Sequence, residues 1–397
     1  MNTPQIMELT EQYILPTYGR LPIAFVRGEG ARLWDSEGNE YLDFVAGISV
    51  LALGHCHPAV TQSICEQAGK LMHTSNLYHI APQGLLAKKL SELSFGGKAF
   101  FCNSGAEANE AAIKLVRKWA SLARPEVEPS RRTILTAARS FHGRTVTTVT
   151  ATGQEKYQKG FEPLDAGFGY FGFGDIADLR SKMSPDVIAI MLEPIQGEGG
   201  MNVPPPGFLR QVRELCDSHR CLLVLDEVQT GIGRTGKWFG YMHEDVTPDV
   251  MTVAKALGNG FPIGACLAGG AAAEVFEPGN HASTFGGSHL ACAVGLTVLQ
   301  VIEAEGLVQN AAAMGERLAA RLAPAADNAI VEVRGRGLLR AVRFDETVAA
   351  REVQDKCREL GLIVNAIGDD RLRLAPPLNV TEDEVDRACE TILRALG

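Results

Sequence analysis

Along the chain, short and nearly continuous apolar runs alternate with longer stretches of helical periodicity. The runs are Ala99–Cys102, Thr133–Thr136, Val187–Leu192, Cys221–Leu225 and Val250–Ala254. Short runs without polar alternation suit strands buried on both faces. Such strands separated by amphipathic helices predict an α/β fold with a mostly parallel sheet covered on both sides. Residues 1–48 read instead as an irregular lead-in with a hairpin signal, Ser36-Glu37-Gly38-Asn39 between Ala31–Trp34 and Tyr41–Phe44. Gly54-His-Cys-His-Pro58 opens a helix, with Pro58 in its first turn. Residues 123–130 read as a surface loop.

After about residue 291 the texture changes. Helical stretches at 291–305 and 310–323 precede the apolar segments Leu338–Phe344, Leu362–Ile367 and Leu372–Ala375. A last helix begins at Thr381-Glu-Asp-Glu384, a capping-box signature. The expected division is a large domain at 49–290 and a smaller α/β domain at 291–397, with residues 1–48 packing against the smaller one.

With 397 residues the chain can hold two or three domains and a large core. A net charge of −9 disfavours nucleic acid or an anionic membrane as the main partner. No apolar run approaches the roughly 18 residues that span a bilayer. The first residues carry Glu8 and Glu11 and lack the basic head and apolar centre of a secretory signal. Nine cysteines in mostly apolar surroundings, without a Cys-x-x-Cys, predict reduced thiols and a cytoplasmic location.

Two of the buried runs stop on an ionisable residue. Cys221–Leu225 ends in Asp226, and Val250–Ala254 ends in Lys255, followed by Gly258, Gly260 and Gly264. Ligands of open α/β sheets bind at the carboxyl ends of strands. An acid and a lysine delivered there suit pyridoxal 5′-phosphate (PLP). Lys255 would hold the cofactor as a Schiff base, its amine pKa lowered by burial. Asp226 would keep the pyridine nitrogen protonated, so that the ring draws electrons. Val228 would press on the ring face, and Gln229 would donate to the ring oxygen. A solvated turn is the plainer alternative for Asp226. Lys237 is the rival lysine, set in the polar turn Arg234-Thr-Gly-Lys.

Asn103-Ser104-Gly105-Ala106-Glu107 follows a strand and opens a helix, where free backbone N–H groups suit a phosphate. The same residues also read as an ordinary capping box, Ser104-x-x-Glu107. In Arg139-Ser-Phe141-His142-Gly143-Arg144, Phe141 can stack on a ring and Arg144 can clamp a carboxylate. A core ring and a solvated charge are the competing readings there. His55-Cys56-His57 lacks further convergent ligands, so no metal is expected. No strand-embedded G-x-G-x-x-G precedes a ribose-binding acid, which disfavours a nicotinamide dehydrogenase.

Further motifs complete a pattern that covers nearly the whole chain from about Thr17. They include Leu42-Asp43-Phe44, Glu193-Pro-Ile-Gln-Gly-Glu-Gly199, Gly233-Arg-Thr-Gly236, His281-Ala-Ser-Thr-Phe-Gly-Gly287 and Leu372-Arg-Leu-Ala-Pro-Pro377. With the segments above, the sequence resembles class-III (ω) aminotransferases, and among them the acetylornithine aminotransferases. The resemblance implies the aspartate-aminotransferase-like PLP fold (fold type I), with a sheet of the seven-stranded type. It implies Lys255 as cofactor lysine and proton shuttle, Asp226 as partner of the ring nitrogen, and Gln229 at the ring oxygen. Phe141 would stack, and Ser104, Gly105 and Ala106 would hold the phosphate. Thr284 would reach the phosphate of a neighbouring subunit, implying a homodimer with shared sites.

For substrates, Arg144 and Ser283 match positions that hold acetylornithine. Arg373 matches the arginine for the glutamate α-carboxylate, with Glu198 as its gating partner. Ile48 stands where ornithine δ-aminotransferases carry a tyrosine, and an apolar residue there suits an acylated donor. The implied reaction transfers the δ-amino group of N2-acetylornithine to 2-oxoglutarate, within arginine biosynthesis. Siblings acting on succinylornithine, N-succinyl-diaminopimelate semialdehyde, ornithine or 4-aminobutyrate remain alternatives. So do a PLP aminomutase and a non-catalytic module, the last opposed by intact Lys255 and Asp226.

Overall fold

Every residue of Val187–Leu192 and of Leu222–Asp226 is buried, because both faces of these strands are covered. The computed structural model describes residues 1–324 and 329–397. In chain order the strands are β1 (Phe25–Glu29), β2 (Arg32–Asp35), β3 (Glu40–Asp43), β4 (Lys98–Cys102) and β5 (Thr133–Ala137). They continue with β6 (Phe168–Phe171), β7 (Val187–Leu192), β8 (Leu222–Asp226), β9 (Val250–Val253) and β10 (Gly264–Ala268). The last five are β11 (Ile330–Arg336), β12 (Leu339–Phe344), β13 (Leu362–Ile363), β14 (Asn365–Ile367) and β15 (Arg371–Leu374).

A seven-stranded sheet runs in the order β4-β10-β9-β8-β7-β5-β6. Only β10 is antiparallel to its neighbours; the other pairings are parallel. Alternate residues of the central strands feed two hydrophobic clusters. Ile190, Leu223 and Leu225 join one, and Ile188, Met191 and Val224 join the other. The second is completed by Ala111, Ala112, Ile113, Leu115 and Val116 of the helix Gly105–Ala123. The helix Phe208–His219 covers the opposite face through Leu209, Val212 and Cys216.

Two four-stranded sheets flank this core. One is β1-β2-β3-β13, in which β13 joins β3 in parallel through Leu42↔Leu362 and Ile363↔Asp43. The other is the antiparallel sheet β11-β12-β15-β14. The α/β class and the parallel-rich large sheet expected from the sequence are present. So is the β2–β3 hairpin, whose turn is held by Asp35 accepting from the backbone of Glu37 and Asn39. The helix Pro58–Lys70 starts at Pro58, and the capping box at Thr381 is formed in both directions.

Other expectations require correction. The lead-in contains a helix, Thr3–Tyr13, capped reciprocally by Asn2 and Gln5. None of its residues is buried, and only Thr3, Ile6, Met7 and Thr10 are half-buried. Leu362–Ile367 is not one strand but two, β13 and β14, in different sheets. Strands β1, β6, β10 and β11 were not expected. Among the described residues no single helix is long and apolar enough to cross a membrane.

Candidate active site

The carboxyl ends of β8 and β9 and the helix start after β4 open onto one cavity of about 400 Å³. Ser104, Gly105, Ala106, Phe141, Arg144, Glu198, Asp226, Val228, Gln229 and Lys255 all line it. Arg373 adjoins it through an ion pair with Glu198.

Asp226 is 3% exposed and fixed by three donors. Oδ2 accepts from Asn109 Nδ2 at 2.8 Å and pairs with His142 Nδ1 at 2.7 Å. Oδ1 accepts from Val228 N at 3.0 Å. Asn109 is itself held, with Oδ1 accepting from the Thr252 hydroxyl at 2.7 Å and Nδ2 donating to the His142 carbonyl. The carboxylate is thus oriented by β9, by the helix after β4 and by the segment after β5. Asn109 and His142 were not singled out from sequence. Asn109 had a readable signal: it lies four residues after Gly105, on the buried face of the helix, where a polar side chain needs a partner. His142 stood inside a quoted motif without a role.

Lys255 follows β9 in a left-handed backbone conformation, φ +42°. Burial, the largest influence, lowers its amine below the ordinary value; Glu198 opposes this, Arg373 reinforces it, and Asp226 and Glu193 oppose it less. Glu198 has the reverse balance. Burial alone would raise its carboxyl, but Arg373, then Lys255, hold it below the usual range. Arg373 is 2% exposed and also donates to Asn365 Oδ1 at 2.6 Å. Glu193 is buried beside Asp226 and is pushed well above the ordinary carboxyl value, first by burial and then by that charge. It accepts from the backbone of Phe141 at 3.2 Å and Gly197 at 3.3 Å.

At the start of the helix Gly105–Ala123, Ser104 Oγ accepts from Glu107 N at 3.2 Å. In return Glu107 Oε2 accepts from Asn103 N at 2.7 Å, one residue earlier than a capping box has it. The first backbone bond of the helix runs from Ala108 N to Ser104 O. The N–H groups of Gly105 and Ala106 therefore stay outside its ladder, at the positive end of the helix dipole. A Cβ on Gly105 would lie 2.8 Å from Val228, so glycine is needed to bring the two together.

These features fit PLP. The helix start can take its phosphate, the fixed Asp226 carboxylate its ring nitrogen, and the Lys255 amine its aldehyde. The Gln229 amide, whose Nε2 donates to Glu198 Oε1 at a long 3.5 Å, brings a donor to the edge of the same cavity.

Phe141 meets Tyr157 edge-on, with ring centroids 5.7 Å apart. Arg144 is exposed at the mouth, its guanidinium 4.0 Å from the Tyr157 ring centre. Ser283 and Thr284 are not brought to Lys255 within the chain. They line a separate cavity with Asn76, Leu77 and Gln83, where Ser283 Oγ accepts from Asn103 Nδ2 at 3.3 Å and Thr284 is exposed. Ile48 is 41% exposed and does not line the main cavity, which Val50 reaches. Lys237 is exposed in its turn.

The family model for class-III aminotransferases matches residues 13–396. The acetylornithine aminotransferase of Caldanaerobacter subterraneus subsp. tengcongensis is 52% identical over 96% of this chain and 96% of its own. Among solved structures, acetylornithine aminotransferase from Elizabethkingia anophelis superposes with a TM-score of 0.90 at 37% identity, covering 100% of this chain and 99% of its own. An ornithine aminotransferase from Toxoplasma gondii, partially occupied by PLP at its active site, gives 0.94 at 36% identity and covers 99% and 94%.

Proposed function

The chain belongs to the class-III aminotransferases, a PLP-using family, and on that footing we propose that it moves the δ-amino group of N2-acetylornithine to 2-oxoglutarate. The products are N-acetylglutamate 5-semialdehyde and glutamate, a step of amino-acid biosynthesis. The observation that carries the reaction type is a half-buried lysine of lowered pKa facing the same cavity as a rigidly held aspartate. The acylated donor rests on the relatives of that activity over nearly the full chain.

PLP, when bound, supplies the electron sink that makes the substrate carbon acidic. The protein's own residues do the rest. Lys255 Nζ, its pKa lowered chiefly by burial, would take the proton from that carbon and deliver it to the cofactor carbon that began as the aldehyde. Asp226 holds the proton on the ring nitrogen, kept in place by Asn109 and His142. Ser104, Gly105 and Ala106 bind the phosphate, Phe141 and Val228 confine the ring, and Gln229 donates to its oxygen.

The two substrates make opposite demands on Arg373. Glutamate carries a carboxylate beside the reacting carbon, which Arg373 binds. Acetylornithine presents an aliphatic chain there, and an unpaired buried guanidinium would be expensive. Glu198 neutralises Arg373 when acetylornithine is bound and leaves it for glutamate. Arg144, at the mouth, binds the distant carboxylate, with Ser283 contributed by a partner chain.

A homodimer with shared sites is part of the same proposal. It is supported by the separation of Ser283 and Thr284 from Lys255, and by the large apolar side chains around them. Leu77 is 84%, Tyr78 68% and Phe285 66% exposed, a concentration that suits an interface. A cytoplasmic location is proposed because all nine cysteines are free thiols.

The test is kcat/KM for acetylornithine, succinylornithine, ornithine and 4-aminobutyrate, each with 2-oxoglutarate. Acetylornithine is expected to exceed ornithine by at least about tenfold, roughly 1.4 kcal/mol in the transition state. A preference for ornithine would remove the assignment.

A further inference from the structure

Glu198 projects from a loop whose backbone is gripped on every side except that of its own carboxylate. At its base Gln196 and Asn202 exchange backbone bonds of 3.0 and 3.1 Å. Asn202 Nδ2 adds bonds to Gln196 Oε1 at 2.9 Å and to Gly199 O at 3.1 Å. Glycines flank Glu198 on both sides, and the close approach is to a side chain at one and to backbone at the other. A Cβ on Gly197 would meet Gln229 Oε1 at 1.8 Å, and one on Gly199 would meet the Arg139 carbonyl at 2.6 Å.

The next residue, Gly200, has φ +111° and turns its carbonyl toward the sheet β11-β12-β15-β14. That oxygen takes three guanidinium contacts: Arg334 Nη2 at 2.5 Å, Arg334 Nε at 3.1 Å and Arg371 Nη1 at 3.4 Å. Two cations on one carbonyl repel each other unless counter-charges lie nearby. Asp370 provides one through two bonds to Arg371, of 2.6 and 2.7 Å, and Glu332, 3.7 Å from Arg334, is shared with Arg343 at 3.0 Å. Charge-assisted bonds of this kind are stronger than neutral ones. Arg371 sits on β15 two residues before Arg373, and Arg334 is on β11 of the same sheet.

We propose that Arg334, seconded by Arg371, is a positioning residue: its clamp on the Gly200 carbonyl ties the Glu198 loop to the sheet that carries Arg373. Both halves of the ion pair then belong to one frame. The pair opens by rotation of the Glu198 side chain on a fixed backbone, and not by movement of the loop. This rests on the reading of Glu198 and Arg373 as the switch between two substrates.

The test uses Arg334→Ala, Arg334→Lys and Arg371→Ala in the full-length holoenzyme, with two readouts. In Arg334→Ala, hydrogen exchange at the amides of Gly200, Met201 and Asn202 should speed up by about tenfold or more, while β7 and β8 keep their protection. In single turnovers, the half-reaction with the ω-amine donor should slow by about five- to tenfold and the glutamate half-reaction by less than about twofold. Because the clamp acts through Glu198, Glu198→Ala combined with Arg334→Ala should be no slower than Glu198→Ala alone; independent effects would multiply. Arg334→Lys, which keeps a charged donor, should recover part of both effects, and Arg371→Ala should show a weaker form of each.

Unchanged exchange overturns the clamp whatever the substrate. Equal losses in both half-reactions, or multiplying losses in the double variant, overturn its link to Glu198. If the wild-type enzyme prefers another ω-amine, that amine replaces acetylornithine in the single turnovers, so the substrate assignment and the clamp fail separately.

Discussion

Lys255 occupies a left-handed backbone conformation directly after a fully buried strand, which costs energy that a bystander lysine would have no reason to retain. Replacing it with alanine should abolish covalent capture of the cofactor by borohydride and lower turnover by roughly 10²- to 10⁴-fold. Peptide mapping after reduction is the check, and cofactor found on Lys237 would overturn the assignment. Lys255 and Asp226 were legible because each ends an apolar run abruptly, and a charge at that point has few structural explanations. The residues that hold Asp226 in place were harder to read. Asn109 and His142 converge on it from segments 117 and 84 positions away, and nothing local announces such a meeting. Arg334 and Arg371 are similar: arginines on strands whose shared acceptor is a distant glycine carbonyl.

Among strands and helices, what could be read followed the bulk of the apolar side chains, since β10 is fully buried yet unannounced. β5, β7, β8 and β9 are apolar runs in the centre of the sheet and were legible within a residue or two. β6 lies at one edge and is only half-buried, and β10 is Gly-Ala-Cys-Leu-Ala, with small residues that signal no strand. β13 and β14 merge in sequence because both are apolar, although one residue later the chain enters a different sheet. The turn after β8 carries a further consequence. Glu227 is buried, accepting from Gly240 N and Tyr241 N at 2.9 Å each and from the Thr230 hydroxyl. Burial raises its carboxyl from about 4.5 to about 7, although these hydrogen bonds oppose the rise. A folded-state value above the unfolded one means that stability is complete below the unfolded value and declines as pH rises through the folded one. In the cofactor-free protein, Glu227→Gln should therefore flatten the loss of stability between about pH 4.5 and 7, on the order of 2 kcal/mol. Denaturant midpoints at pH 5 and pH 7.5 measure it; a pH dependence equal to that of the wild type would count against the buried neutral carboxyl.

Assembly decides whether the site is complete. Thr284 is proposed to serve the partner's cofactor phosphate, so inactive Lys255→Ala and inactive Thr284→Ala proteins should complement when mixed and allowed to exchange subunits. Each heterodimer would hold one intact site, restoring up to about half of wild-type activity per heterodimer. Confirmed heterodimers without recovery would argue against sharing. The pairing of β3 with β13 bears on how such a molecule comes into being. Leu42 leaves the ribosome early and waits for Leu362, its neighbour in the sheet, until synthesis is nearly finished. The large sheet needs nothing beyond β10, so Asp226 and Lys255 can be seated while the last third of the chain is still unmade. Arg373 follows only ten positions after Ile363, and the carbonyl clamp arrives with it. On the proposed roles, translation would thus put the cofactor-binding groups in place first and the choice of carboxylate last.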